Sequence, residues 1–191
     1  MRPAFTVAIV SVAVVLAASR AMRAEQVSAA PGPVIACDGS DRNLAVYRRM
    51  HQVLFVERDG SRVGEFYAPE VILHDEDRGG VGTKTVKSAD LGAMWSAARK
   101  TNPDRVLSAD LIICQGPYVV VRTTARSTDK AGFAGNPPTG RPYVISGIDI
   151  YRFEHGKVVE RWGNLDLAGL LRQIGYTFTP PPPTAAPTAA H

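Results

Sequence analysis

Residues 132–175 constrain the fold more than any other stretch of the chain. Aromatic and β-branched residues dominate 143–153, which predicts a long strand. The sequence EHGK at 154–157 predicts a tight turn, and 158–162 predicts a strand that runs back beside the first. Asp166 can then cap a short amphipathic helix that ends at Gly175. Consistent local signals therefore specify a hydrophobic hairpin followed by a helix.

The preceding residues predict helices first and strands afterwards. Ser40 or Asp41 can cap a first helix, and 58–68 indicates a turn with a small helix. A short strand is predicted at 70–75 and a loop at 79–87. Ser88 can cap a second helix that runs to about residue 100. Two strands follow at 106–115 and 118–127. This order is typical of the α+β class, with a long, curved antiparallel sheet wrapped around the N-terminal helices.

The N-terminal residues have the features of a secretory signal peptide. Arg2 precedes an apolar run of fourteen residues at 6–19, which is short for a membrane span. We predict a signal peptide at 1–21 that is the chain's only membrane contact; a retained anchor is the alternative. A flexible lead-in (22–39), one domain (40–178) and a disordered Pro/Ala/Thr-rich tail (179–191) complete the predicted organisation. The protein would be secreted or held in the cell envelope.

Charge and cysteine content narrow the function classes. The predicted signal holds two of the 22 basic residues and none of the 18 acidic ones, so the mature chain would carry a net charge of +2. With no dense basic stripe, nucleic acid is not an expected partner. An exported chain would meet an oxidising compartment, where Cys37 and Cys114 could pair. The alternative is that Cys114 is a small buried apolar residue.

One carboxylate stands out on the hairpin. Alternation puts Asp149 on the same strand face as Ile145, Gly147, Tyr151 and Phe153. A carboxylate among apolar residues should be ion-paired or protonated with a raised pKa, and either state suits a general acid–base catalyst. Arg161 could pair with it if the register allows. The alternative is an Asp149–Arg161 ion pair that only fixes the strand register.

Other polar and aromatic side chains have two interpretations. Tyr47 and His51 are four residues apart on one helix face, so they belong either to the core or to a cavity wall. Tyr151 could donate a hydrogen bond to a ligand carbonyl. Trp162 is a core aromatic, a dimer contact or a ligand contact. The run His-Asp-Glu-Asp at 74–77 does not predict a metal site, because adjacent strand residues point in opposite directions.

Several motifs together resemble the SnoaL-like polyketide cyclase family of the nuclear-transport-factor-2-like superfamily. They are PPTGR at 137–141, GIDIYRF at 147–153, HGKVVERW at 155–162 and the ending GLLRQIG at 169–175. The resemblance implies a cone-shaped α+β barrel with an interior pocket, cofactor-free chemistry and frequent dimers through the outer sheet face. It also makes His74 a candidate at the pocket rim, and it places the helix of Trp95 across the open end of the sheet.

The resemblance also bears on the catalytic residues. In the cyclase branch an Asp acts as acid/base at the position of Gly163, and its histidine partner falls at the position of Asp149. Neither residue is retained, so Asp149 would take over proton transfer. Limonene-epoxide hydrolase relatives use an Asp-Arg-Asp set, for which Asp149, Arg161 and Asp166 have the right residue types. Asp166 is alternatively only a helix cap.

These observations leave three functions open. The first is an exported domain that binds a small apolar molecule, polyketide- or terpenoid-like, with cofactor-free isomerase, cyclase or hydrolase activity. The second is a non-catalytic binding protein of the cell envelope. The third is a protein-interaction module that uses the outer sheet face. A homodimer is expected in each case, and no cofactor is expected.

Overall fold

The hairpin at the centre of the sheet forms as its sequence predicts. The computed structural model describes residues 32–38, 41–74, 82–133 and 135–179. Strand β6 (Pro142–Glu154) turns through His155 and Gly156, at φ 49° and 74°, into strand β7 (Lys157–Leu165). Positive φ at both turn residues gives a backbone twist that matches two right-twisted strands, and glycine reaches it without strain.

Seven strands form one mixed sheet in the order β1-β4-β5-β6-β7-β2-β3. The other five are β1 (Val34–Ala36), β2 (Tyr67–His74), β3 (Thr83–Lys87), β4 (Val106–Gln115) and β5 (Tyr118–Thr128). All neighbours are antiparallel except β1 with β4 and β2 with β7, which are parallel. The predicted α+β class and curved sheet are confirmed, and the sheet is not closed into a barrel.

Helical segments cover one face of this sheet. Helix α1 (Arg42–Met50) continues into a π-helical segment (His51–Val56), which a 3₁₀ helix (Gly60–Glu65) follows. Asp41 caps α1, since its Oδ1 accepts from the backbone N–H groups of Asn43 at 2.8 Å and Leu44 at 3.0 Å. Helix α2 is Ser88–Thr101, and the short helix α3 after β7 is Leu167–Gln173.

The core lies between the helices and the buried face of the central strands. Alternation supplies it directly: Val119, Val121, Thr123 and Ala125 of β5 are buried, as are Ile145, Asp149, Tyr151 and Phe153 of β6. Leu44, Tyr47, Met50, Val53 and Leu54 fill the space from the helical side. Two glycines, Gly60 and Gly92, let the 3₁₀ helix and α2 approach closely, because neither position has room for a Cβ.

Three local predictions are wrong. The lead-in contains β1, which pairs with Leu111–Ile113 of β4, and part of the predicted 79–87 loop is β3, which pairs along β2. Both strands are short and largely exposed. Neither shows the alternation of apolar and polar residues by which a half-buried strand is recognised in a sequence. Ser88 is the first residue of α2 and not its cap: Lys87 holds that position, without a side-chain hydrogen bond.

A disulfide ties the N-terminal strand to the sheet. Cys37 and Cys114 are joined, with their Cα atoms 4.8 Å apart. Strand β1 (Val34–Ala36), which pairs with β4, ends at the residue before Cys37, so the disulfide anchors the end of this strand. The predicted signal peptide at 1–21 and the tail from residue 180 lie outside the described residues. Within the described ranges, no helix has the length and apolar character needed to cross a membrane.

Candidate functional site

A cavity of about 130 Å³ lies between the helices and the concave side of the sheet. An engineered cavity of similar size admits a single aromatic ring. Its wall is mostly aromatic and aliphatic, with a few polar side chains, as small-molecule sites usually are. The lining residues are Tyr47, Leu54, Phe55, Arg58, Trp95, Ala98, Arg105, Leu107, Thr123, Ala125, Ile145, Asp149, Tyr151, Arg161 and Leu165.

Asp149 and Arg161 form an ion pair in the cavity wall. They extend from adjacent strands, because Asp149 is in register with Gly163 and Tyr151 with Arg161. Arg161 donates from Nη2 at 2.7 Å and from Nε at 3.2 Å, and both bonds end on Oδ1 of Asp149. The other carboxylate oxygen, Oδ2, accepts no hydrogen bond from any described residue. One oxygen therefore fixes the side chain while the other remains available.

Burial changes the acidity of this carboxylate. Asp149 is only 6% exposed, and burial raises its pKa to about 7, although the positive charge of Arg105 opposes the rise. Burial also lowers the pKa of Arg161. Removing both groups from water therefore outweighs their attraction and disfavours the charged forms. An Asp with a pKa near 7 can both accept and return a proton at neutral pH.

Three tyrosines surround the pair. Tyr47 and Tyr151 line the cavity with their ring centroids 5.6 Å apart, and Tyr67 is fully buried beside them. Burial, reinforced by the charge of Asp149, raises the pKa of Tyr47 and Tyr151, so both phenols stay protonated. Within the described part of the chain, the Tyr67 hydroxyl has no hydrogen-bond partner, and none of the hydrogen bonds found there involves the hydroxyls of Tyr47 or Tyr151.

Five of the nine candidate catalytic and ligand-binding residues meet at this cavity: Tyr47, Trp95, Asp149, Tyr151 and Arg161. Trp95 reaches it from α2 and packs edge-on against Phe55 and Tyr67, at 5.5 and 5.6 Å between ring centroids. These contacts fix the indole ring. Trp95 thus belongs to the core and to the cavity wall at once.

His74 and Trp162, two of the predicted ligand contacts, are not among the residues that line this cavity. Trp162 follows Arg161 on β7, so alternation points it to the opposite sheet face. There its ring stacks on His74 at 4.7 Å between centroids, and His74 Nε2 lies 2.7 Å from Oε1 of Glu160. Tyr118 joins the same group with its ring 6.3 Å from Trp162.

His51 and Asp166 also lie outside the cavity wall. His51 packs between Tyr47 and Phe55, at 5.9 and 6.0 Å between ring centroids, and burial lowers its pKa. Asp166 is exposed and caps α3 by accepting from the Gly169 N–H at 2.8 Å. The cap alternative therefore fits its position, and the Asp-Arg-Asp set does not assemble. No group of three potential metal ligands occurs among the described residues.

A family model matches residues 45–174, and its description is SnoaL-like polyketide cyclase. The chain belongs to the SnoaL-like polyketide cyclase family. Membership supports a small-molecule-binding domain of the cyclase or isomerase type. No curated protein sequence gives a match.

Solved structures with this fold include IdmH of Streptomyces antibioticus, assigned as a polyketide cyclase. It is 24% identical at a TM-score of 0.60, over 71% of this chain and 100% of that one. A protein from Acidithiobacillus ferrooxidans with the same assignment is 21% identical at 0.62, over 72% and 97%. AclR of Streptomyces galilaeus, assigned as a hydroxylase, is 26% identical at 0.59, over 73% and 89%.

Gly163 and Asp149 occupy the two positions that the resemblance of this SnoaL-like protein singles out. Gly163 and Asp149 are cross-strand partners on β7 and β6. A Cβ built on Gly163 would lie 3.4 Å from Oδ1 of Asp149 and 3.4 Å from Nη2 of Arg161. The ion pair therefore borders the position at which the resemblance places the catalytic Asp of the cyclase branch.

Sequence reasoning missed part of the cavity wall. Leu54, Phe55, Thr123, Ala125 and Ile145 lie on faces that alternation and helical spacing identify as buried, so a local signal existed for them. No local signal in the sequence places Arg58 or Arg105 in the cavity wall. Arg58 follows the π-helical segment and Arg105 precedes β4, so only the packing of α2 brings the two loops to one cavity.

Proposed function

We propose that this protein binds a small apolar molecule in the cavity and catalyses cofactor-free proton transfer on it, with Asp149 as the general base. Isomerisation, cyclisation and hydrolysis of a polyketide- or terpenoid-like compound all fit this chemistry. The supporting observation is that Arg161 holds one oxygen of a buried carboxylate whose other oxygen has no partner among the described residues.

The simplest reaction for this arrangement is the isomerisation of a β,γ-unsaturated ketone. Asp149 Oδ2 removes the α proton, and the electron pair of the C–H bond forms an enolate. Tyr151 or Tyr47 donates a hydrogen bond to the enolate oxygen, as preorganised donors do in such sites. Asp149 then returns the proton to the γ carbon, which moves the double bond into conjugation and regenerates the carboxylate.

Asp149→Asn tests this role, because the amide keeps the shape of the side chain and removes its basicity. The probe is a one-ring β,γ-unsaturated cyclohexenone, and the conjugated product is followed by ultraviolet absorbance. We expect loss of turnover with the native fold retained, and a loss of about 10²-fold or more is typical for a general base. Full activity in this variant would rule out Asp149 as the base.

A non-catalytic carrier is the second candidate, and Gly163 is the observation that favours it. The residue that performs acid–base chemistry in the cyclase branch is missing, while a buried ion pair can be purely structural. Tyr151→Phe separates the two proposals, since a carrier would lose only ligand affinity whereas an enzyme would lose turnover at saturating ligand. Native mass spectrometry of the purified protein would detect a small molecule that co-purifies with it.

Export and dimerisation belong to the same proposal. The N-terminal pattern supports export, and the mature N-terminus found by mass spectrometry of the exported protein tests cleavage after residue 21.

The sheet face that carries Trp162 also exposes Ile113, Tyr118, Val144 and Ile148 at 38–51%. Such apolar exposure fits a second copy of the chain. Light scattering on the wild type and on Ile148→Glu tests this: the variant should be monomeric where the wild type is dimeric.

A further inference from the structure

The cavity wall carries more positive than negative charge. Its lining includes three arginines, Arg58, Arg105 and Arg161, but only one carboxylate, Asp149. Arg161 is paired with that carboxylate at 2.7 Å. The remaining two guanidinium groups therefore face a largely apolar cavity without an acidic partner in its wall.

Hydrogen bonds to the end of helix α2 hold Arg58 in place. Its Nη1 donates to the carbonyl of Asn102 at 2.6 Å and its Nη2 to the carbonyl of Ala98 at 3.0 Å. Burial lowers the pKa of Arg58, and the like charges of Arg105 and Arg99 lower it further. Positive charges are thus crowded at this edge of the cavity, an arrangement that an anion would relieve.

Arg105 is the third arginine of the cavity wall. Its side chain is only half-buried, and it forms no hydrogen bond or ion pair with any residue that the structure describes. The adjacent acid, Asp104, is already engaged by the Ser127 hydroxyl at 3.0 Å, the Thr128 N–H at 3.1 Å and Lys130 Nζ at 3.3 Å. Arg105 therefore keeps a complete set of donors at the cavity rim.

We propose that the ligand of this cavity is a hydrophobic organic acid, whose carboxylate binds to Arg105 beside Arg58 while its apolar part fills the cavity. This inference rests on the proposed ligand-binding function and names the class of ligand. A guanidinium group offers parallel N–H donors that match the two oxygens of a carboxylate. Phe55, Trp95 and Leu107, all in the same wall, supply the apolar contact.

Such a ligand would also influence the proposed base. The charge of Arg105 opposes the rise in the pKa of Asp149. An anion bound to Arg105 neutralises part of that charge, so the carboxylate of Asp149 becomes a stronger base when the ligand is present.

The test compares hydrocinnamate with its uncharged methyl ester, which shares the phenyl ring and the flexible chain. Binding is followed by amide chemical shifts of the isotope-labelled protein. Three proteins are used: the wild type, Arg105→Gln and Arg126→Gln. Arg126 is the matched control, because it is exposed on the opposite face of β5 and the substitution removes the same charge. Arg105→Lys, which keeps the charge but lacks the forked N–H donors of a guanidinium group, is the fourth protein.

We expect the wild type to bind the acid about tenfold more tightly than the ester, or better, because hydrogen bonds to charged groups are the stronger ones. Arg105→Gln should remove that preference, because it weakens binding of the acid more than binding of the ester. Arg105→Lys should retain part of the preference, and Arg126→Gln should retain all of it. High salt should weaken acid binding only.

Equal affinity of acid and ester would overturn the inference while leaving the cavity as a ligand site. An equal loss in Arg105→Gln and Arg126→Gln would also overturn it, because the preference would then reflect overall charge. If neither compound shifts the amides of cavity residues, the inference fails together with the proposed binding function. Catalysis is judged separately, since the ketone probe carries no charge.

Discussion

The titration of Asp149 should make the protein less stable as the pH rises. Its pKa changes from an ordinary 3.8 to about 7 on folding. Between these values the folded state binds the proton that the unfolded state has lost, so the free energy of unfolding decreases with pH. The full shift corresponds to about 4 kcal/mol, or about 1.4 kcal/mol for each pH unit.

The measurement is urea unfolding of the wild type and of Asp149→Asn at intervals from pH 4 to pH 8. Subtracting the variant's free energy of unfolding from that of the wild type cancels the other titrating groups. We expect this difference to be most favourable to the wild type at pH 4 and to fall by about 4 kcal/mol towards pH 8. A constant difference would refute the raised pKa. A difference that increases with pH would mean that Arg161 keeps the carboxylate ionised throughout.

Three further predictions concern stability. Replacing Cys37 and Cys114 by Ser should cost up to about 4.5 kcal/mol by the chain-entropy relation for a cross-link across a sequence separation of 77; urea unfolding that matches the reduced wild type would support this, and an unchanged midpoint would contradict it. At pH 8, Gly163→Asp should destabilise the fold more than Gly163→Asn, since it places a second carboxylate beside Asp149; equal losses in the two variants at this pH would disprove the repulsion. Asp129→Ala should cost about 3 kcal/mol, because Asp129 is buried and accepts three hydrogen bonds; a thermal midpoint within error of the wild type would contradict that.

The central hairpin could be predicted because its signals are local. Alternation along 143–153 assigns both faces of β6, and the turn residues fix where β7 begins. The buried position of Asp149 follows from that alternation. Its pairing with Arg161 depends on a β-bulge between Arg152 and Phe153 that shifts the register by one residue, which no local signal indicates. The sequence therefore identified the carboxylate of the candidate site, whereas its pairing with Arg161 required the register that the structure shows.

The missed features depend on non-local packing. Strands β1 and β3 are stabilised by pairing with distant segments and not by their own composition. Arg58 and Arg105 lie in loops, and their approach to one cavity needs the position of α2 as well as the sheet. The position of Trp162 outside this cavity does have a local signal, since alternation with Arg161 already predicts that the two side chains lie on opposite faces.

The most direct test of Asp149 as a general base is the pH dependence of kcat/KM for the cyclohexenone probe. The rate should rise with pH and level off above an inflection near 7, where Asp149 loses its proton. Asp149→Asn should abolish both the inflection and most of the rate. A profile that shows no inflection near this pH, or one that survives unchanged in Asp149→Asn, would contradict the role of Asp149 as the base.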